Sequence, residues 1–259
     1  MAPPLRLLIL GGTGDAAALA EALAADDRVT ATSSLAGRVA RPHLPLGQVR
    51  IGGFGGAAGL AEYLRAQRID AVIDATHPFA ARISANAADA CKRSAVPLML
   101  LERAPWTAIA GDRWHEVDSI GAAAQLAPAL GRRIFLTTGR QELAPFAACS
   151  ACWFLIRTID GPGVPLPPAS ELIIGRGPFQ LEQEIALMHK YAIDLVLSKN
   201  SGGSATYAKI EAARRLEIPV LMVRRPARPP AQSVASISAA LDWIGALCTG
   251  SHAHTKARA

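Results

Sequence analysis

Short apolar runs alternate with alanine-rich stretches of helical length along the whole 259-residue chain, and that alternation leaves few folds open. The runs at residues 5–10, 29–33, 49–51, 71–75 and 96–101 are only long enough for strands. Between them, 15–25, 57–67 and 79–94 carry apolar residues at helical spacing. A strand that is apolar at nearly every position must be covered on both faces. Strand–helix–strand alternation supplies that cover by building a parallel sheet. The pattern loosens between 102 and 112, around Pro105 and Gly111, where a domain boundary is expected. A second series follows, with strands at 134–138, 154–159, 172–175, 195–198 and 220–224 and helices at 120–130, 181–191 and 205–216. Four prolines in residues 161–168 mark a loop, 236–247 reads as a last amphipathic helix, and 250–259 as a disordered polar tail. The expected class is α/β, with parallel-sheet domains at 1–103 and 104–249.

Composition excludes several functions. With 51% hydrophobic residues the chain is not generally disordered, yet no apolar stretch reaches the roughly 18 residues of a membrane span. The opening run at 5–10 contains Arg6 and ends at Gly11, too short for a signal peptide. Four irregularly spaced cysteines make no disulfide framework, so a reducing cytoplasm is expected. Cys149-x-x-Cys152 precedes a strand instead of opening a helix, and no second pair exists for zinc; idle thiols and no metal site are expected. Net charge is +6, but residues 1–103 hold 11 cations against 9 acids, so there is no dense basic block. At 5% aromatic the chain also lacks a stacking platform, and no nucleic-acid partner is expected. Of the 27 cations 22 are arginine, either through genome composition or because the guanidinium fork suits phosphates and carboxylates. Arg224, Arg225 and Arg228 read as a solvated strand exit.

The first strand runs into Gly11-Gly12-Thr13-Gly14-Asp15-Ala16-Ala17. Gly12-x-Gly14-x-x-Ala17 fits the G-x-G-x-x-A turn of Rossmann-like dinucleotide folds. Its first glycine makes the turn, its second lets backbone approach a pyrophosphate, and its third small residue lets the helix pack on the strand. The helix start then offers free N–H groups and a positive dipole end. The alternative is a glycine turn that only packs. The second strand ends Thr32-Ser33-Ser34 and runs on to Arg38, without the carboxylate that NAD enzymes place there. Hydroxyls and an arginine suit a 2′-phosphate, so NADP(H) is expected; otherwise Asp26 or Asp27 supplies the acidic role. The glycine run around Gly53 then closes over the adenosine side, and Ala75, Thr76 and His77 lie toward the nicotinamide. His77 could donate a proton, meet a substrate carboxylate or serve only as a helix entry.

The second series also puts its distinctive residues at strand ends: Thr138-Gly139-Arg140, Arg157, Gly175-Arg176-Gly177 and Lys199-Asn200-Ser201-Gly202. Each group joins a cation or amide to small residues, a composition that binds multiply anionic ligands. Solvated turns are the bland alternative. No G-x-S-x-G nucleophile is present. The fourth neighbours of Tyr63, Tyr191 and Tyr207 are Gln67, Leu195 and Glu211, so the Tyr-x-x-x-Lys pair of short-chain dehydrogenases is absent. What remains is a reductase that passes hydride to an anionic ligand.

The segments LILGGTGDAAALA, GGFGGAAGL, IDAVIDATHPFA, ISANAADACKRSAVPLMLLERAPW, FLTTGRQEL, GRGPF, VLSKNSGGSATYAKI and IPVLMVRRP resemble, in this order, the precorrin-6A reductase family of corrin (vitamin B12) biosynthesis. The likeness covers the chain from Leu5 to about Pro226; Asp15 stands where many members carry Glu. The resemblance implies NADPH-dependent reduction of one carbon–carbon double bond of precorrin-6A to precorrin-6B. It also implies two Rossmann-like domains with the active site in the cleft between them, 1–103 binding NADP(H) and 104–249 the macrocycle. Gly12, Thr13, Gly14 and Asp15 would then hold the pyrophosphate and Ser33, Ser34 and Arg38 the 2′-phosphate. Thr138, Gly139, Arg140, Arg176, Lys199, Asn200, Ser201 and Gly202 would anchor macrocycle carboxylates. The conjugated macrocycle is its own electron sink, so orientation and exclusion of water matter most. If a side chain supplies the proton, His77 and Lys199 are the candidates; bound water is the alternative. Neighbouring pathway enzymes are further partners the resemblance suggests. A non-catalytic NADP(H)-binding sensor or carrier on the same fold is the competing reading.

Overall fold

The structure, a computed structural model, describes residues 3–37 and 44–256. The chain divides into two compact units, Met1–Arg103 with Ala227–Ala259, and Ala104–Pro226.

Unit 1 is built on β1 (Leu5–Leu10), α1 (Gly14–Leu23), β2 (Val29–Leu35), β3 (Gln48–Ile51), α2 (Ala57–Ala66), β4 (Ala71–Asp74), α3 (Ala81–Ser94) and β5 (Leu98–Leu101). Its six strands are all parallel, in the order β12-β5-β4-β1-β2-β3, where β12 is Gln232–Val234. Numbered within the unit this is 3-2-1-4-5-6, the doubly wound dinucleotide-fold order. Alternation along β1 divides its apolar residues between two helical layers. Leu7 and Ile9 join Ile73, Met99 and Leu101 under α1 and the last helix, α7 (Ile237–Lys256). Leu8 and Leu10 join Val72 under α2 and α3, with Leu60, Leu64, Ala87 and Ala90. This is why β1 reads as a nearly unbroken apolar run.

The expected boundary at 249 is corrected by this pairing. β12 lies parallel to β5, Gln232 beside Met99 and Val234 beside Leu101. Ala240, Ile244 and Cys248 of α7, spaced one turn apart, complete the α1-side core. Residues 227–249 therefore belong with the first unit. α7 also runs to Lys256, so the expected disordered tail is helical through that residue.

Unit 2 comprises β6 (Trp114–Val117), α4 (Ile120–Leu130), β7 (Arg133–Leu136), two single-turn 3-10 helices (Arg140–Glu142 and Ala144–Phe146), β8 (Trp153–Thr158), β9 (Ser170–Ile174), α5 (Leu181–Lys190), β10 (Leu195–Lys199), α6 (Ala208–Arg215) and β11 (Val220–Val223). Its sheet is again all parallel, ordered β6-β11-β10-β7-β8-β9. Phe135, Leu155, Val196, Val220 and Met222 face Met188 and Ile210 of α5 and α6. β6 and β12 were not anticipated. Both are three- or four-residue edge strands with little buried apolar surface, so they leave almost no hydrophobic pattern. Among the described residues no helix is long and apolar enough to cross a membrane.

Candidate functional site

In doubly wound sheets ligands lie beyond the carboxyl ends of the strands, where the winding direction reverses. In unit 1 that point falls between β1 and β4. The turn leaving β1 is built as the sequence suggests. Gly12 has φ +104°, which only glycine adopts without strain, and a Cβ on Gly11 would press Ala16 Cβ at 3.4 Å. Nothing lies within 4 Å of the position a Cβ would take on Gly12 or Gly14, so backbone is open to a ligand on that side. Thr13 caps α1, its Oγ1 accepting from Ala16 N at 3.1 Å and donating to Ala75 O at 2.7 Å. One hydroxyl thus ties the β1 and β4 loops together. The N–H groups of Gly14 and Asp15 precede the first intrahelical bond, Ala17 N to Thr13 O, and are placed to receive an anion. The Asp15 carboxylate turns to Arg103, 2.6 Å away, so only its backbone is suited to the expected pyrophosphate role.

The β4 loop is fixed by buried polar contacts. Asp74 is fully buried, and its Oδ1 accepts from Thr76 N at 3.0 Å and Thr76 Oγ1 at 2.5 Å. Arg228 reaches the other oxygen of Asp74 at 3.2 Å, also donating to Ser84 Oγ and to Thr76 O at 3.4 Å, with Glu102 3.7 Å from its Nε. The solvated strand exit expected here is therefore corrected for Arg228, whose side chain is only 10% exposed. His77 follows, half-buried, its Nδ1 accepting from Phe79 N at 3.2 Å. A neutral ring that accepts at Nδ1 carries its proton on Nε2.

At the end of β2, Ser33 and Ser34 are both buried, and Ser34 Oγ accepts from Arg50 Nη1 at 3.1 Å. Arg50 also donates to Gly53 O at 3.1 Å, joining Ser34 and the predicted glycine run. Arg50 was missed because it lies inside a strand, where a cation reads as a solvated edge. Arg38 lies outside the described residues.

In unit 2, β7, β8 and β9 run one way and β10 returns on the other side of β7, so the reversal falls between β7 and β10. Thr138-Gly139-Arg140 and Lys199-Asn200-Ser201-Gly202 leave these two strands. Thr138 is 2% exposed and its Oγ1 has no hydrogen-bond partner among the described residues. Gly139 has φ +91°, and Arg140 is half-buried with Nη1 3.3 Å from Gly161 O. Lys199 Nζ lies 3.8 Å from Glu142 Oε1. Asn200 has another role than the one expected. Its Oδ1 accepts from Trp106 N at 2.8 Å and its Nδ2 donates to Trp106 O at 2.9 Å, while Trp106 Nε1 donates to Gly203 O. Ser201 is buried, and Gly202 has φ +66° with a Cβ there running into Ala104 O. Arg225 supports the same loop, donating from Nε to Asn200 O at 2.8 Å. Only Arg224 fits the expected solvated exit, pairing with exposed Asp118.

Arg176 is exposed on the loop after β9, two strands from β7. Arg157, expected among the anion-binding groups, is committed to a buried ion pair. It is buried, forked onto Glu184 at 2.5 and 2.8 Å, with its guanidinium carbon 3.6 Å from the Phe179 ring centroid. It holds the Gly175–Phe179 loop from beneath. Beside this pair Lys209 is buried, its Nζ donating to Thr206 O at 2.9 Å; burial, then Arg157, bring its pKa down to about 7 against the opposing pull of Glu184. Burial pushes the Cys91 thiol up to about 12 and also raises Cys152, as befits unreactive thiols. Among the described residues no group of three His, Cys, Asp or Glu is placed to hold a metal ion.

Two parallel sheets with glycine-rich, cation-bearing loops at their reversal points define a Rossmann-like α/β protein of two units. Comparison with known proteins narrows the class. The family model for precorrin-6x reductase CbiJ/CobK matches residues 6–245. A precorrin-6A reductase of Rhodococcus erythropolis is 56% identical over 93% of this chain and 98% of its own length. One of Mycobacterium tuberculosis is 47% identical over 93% and 98%. A cobalt-precorrin-6A reductase of Salmonella typhimurium is 31% identical over 85% and 87%. A solved structure described as CobK precorrin-6A reductase superposes with a TM-score of 0.88 at 44% identity, covering 93% of this chain and 96% of its own. The chain belongs to the precorrin-6x reductase CbiJ/CobK family. It is accordingly an oxidoreductase of cobalamin biosynthesis that acts on a CH–CH group, of the kind served by a nicotinamide cofactor.

Proposed function

We propose that this chain reduces one carbon–carbon double bond of precorrin-6A with NADPH, giving precorrin-6B. The observation that carries the reading is the joining of the Gly12–Gly14 turn to Ala75 through Thr13 at the β1/β4 reversal. There a helix N-terminus and open glycine backbone suit a pyrophosphate. Gly12, Thr13, Gly14 and the Asp15 N–H would hold it, with Ser34 and Gly53 toward the adenosine and Ala75, Thr76 and His77 toward the nicotinamide. The cofactor would supply a hydride; the protein must orient it and provide a proton to the neighbouring carbon.

His77 and Lys199 are the side-chain candidates for that proton. His77 would give it only as imidazolium, which requires the Phe79 N–H to release Nδ1; the neutral ring can orient the acceptor but not protonate it. The substrate's acetates and propionates would be met by Arg140, Lys199 and Arg176, with Thr138 Oγ1 and Gly139 beside them. Asn200, Gly202 and Arg225 shape the loop that carries Lys199 and Ser201.

Mixing protein, NADPH and precorrin-6A tests the reading through the nicotinamide absorbance band. One NADPH should be oxidised per macrocycle reduced. NADPH that binds yet is never oxidised would sink the reductase reading in favour of a sensor or carrier. His77→Gln should lower kcat at least about tenfold with little change in NADPH affinity if the ring gives the proton. An unchanged kcat would leave that step to Lys199 or water.

A further inference from the structure

The carboxyl end of β2 holds a cation that the sequence pattern concealed. Arg50, on the adjacent edge strand β3, donates from Nη1 to Ser34 Oγ at 3.1 Å and to Gly52 O at 2.9 Å, and from Nη2 to Gly53 O at 3.1 Å. Its guanidinium carbon lies 3.8 Å from the Phe54 ring centroid and 5.1 Å from that of Tyr63, and the two rings meet edge to face at 5.2 Å. A guanidinium carries five N–H donors, and three bonds to described residues leave two for a ligand. The aromatic face, the glycine carbonyls and the serine hydroxyl fix the fork's plane, which lowers the entropy lost when it grips an anion.

The surroundings favour that use. From Arg28 to Ala61, which takes in β2 and β3, the sequence contains no Asp or Glu. In this fold the β2 terminus is where the adenosine ribose is read, by a carboxylate for a free 2′-hydroxyl or by arginine for a 2′-phosphate. Here the buried position is taken by Ser34, 6% exposed, and the half-buried position beside it by Arg50.

We propose that Arg50, with Ser34, is the specificity-determining residue that selects a 2′-phosphorylated dinucleotide over its unphosphorylated counterpart. This rests on the NADPH reading above. It adds to the expected cofactor contacts a guanidinium anchored by Ser34, Gly52 and Gly53.

Calorimetric binding of NADP⁺ and NAD⁺ to the full chain, wild type against Arg50→Gln and Arg50→Lys, tests it. Arg50→Gln should weaken NADP⁺ by about ten- to a hundredfold, the scale of losing hydrogen bonds to a charged partner, and leave NAD⁺ within about twofold. Arg50→Lys keeps the charge and loses the fork, so its NADP⁺ loss should be intermediate. Equal weakening of both ligands would show that Arg50 merely holds the glycine loop, and would overturn the proposal. If Arg50→Gln does not fold, by circular dichroism, the lysine variant decides: a loss confined to NADP⁺ supports the proposal, and equal losses or none overturn it. Wild-type protein that binds both ligands equally would instead refute the NADPH reading, and this inference with it.

Discussion

The side chain of Asn200 holds the backbone of Trp106 at both N–H and C=O, a pairing in which each partner leaves the other's polar groups satisfied inside the protein. Trimming it to Asn200→Ala strands a buried donor and a buried acceptor on Trp106. By the cost of unsatisfied groups the loss should be about 3 kcal/mol of stability, read as a lower urea midpoint at unchanged slope. A midpoint within experimental error of wild type would mean that water replaces both contacts. The composition of 199–202 makes this amide look like a ligand donor because its partner lies 94 residues away. Arg157 and Arg228 mislead for the same reason. Their acids, Glu184 and Asp74, sit on other elements, and a one-dimensional pattern carries no pairing information. Gly12, Thr13 and Gly14 are legible because their constraint is local: a positive φ, a cap three residues from its N–H, open backbone.

Among elements, central strands are legible and edges are not. β1, β4, β7, β10 and β11 are buried on both faces and announce themselves as apolar runs, whereas Trp114–Val117 and Gln232–Val234 owe their structure to the strand beside them. Helices also hide charge. α5 and α6 enclose Glu184 and Lys209, 2% and 4% exposed, against Arg157 of β8. Lys209 is held at about 7, below its ordinary 10.5, chiefly by burial, so the folded chain releases this proton before the unfolded chain does. The unfolded state therefore binds more protons between those values, and stability rises with pH across the window. From pH 7 to 9 the contribution should grow by about 2 kcal/mol. Lys209→Met should lack that increment, so the difference between the two proteins' unfolding free energies should shift by this amount over the same pH range. Parallel curves would mean that Lys209 stays charged in place.

At the scale of the molecule, the covalent order of the chain and the order of its units differ. The chain leaves unit 1 at Arg103, builds Ala104–Pro226, and returns to finish the first sheet and its helical cover. An α/β rhythm reads the same in both units, so sequence periodicity places the departure but has no means of marking the return. The return matters physically. Without 227–259, Leu7, Ile9, Ile73 and Met99 lose the cover of Ala240, Ile244 and Cys248, and fully buried Asp74 loses Arg228. Uncovering a helix-wide apolar face and stranding a buried carboxylate each cost several kcal/mol, comparable to the whole stability of a domain. A fragment of residues 1–103 should therefore fail to give a cooperative melt or to bind NADP⁺, although it contains the glycine turn, Arg50 and His77. A fragment of 104–226 should melt cooperatively alone, because its sheet and its helices are continuous in the chain. Adding the peptide 227–259 to the first fragment should restore the transition in a concentration-dependent manner. A cooperative melt of 1–103 by itself, followed by circular dichroism, would show that the returning segment decorates a unit already complete.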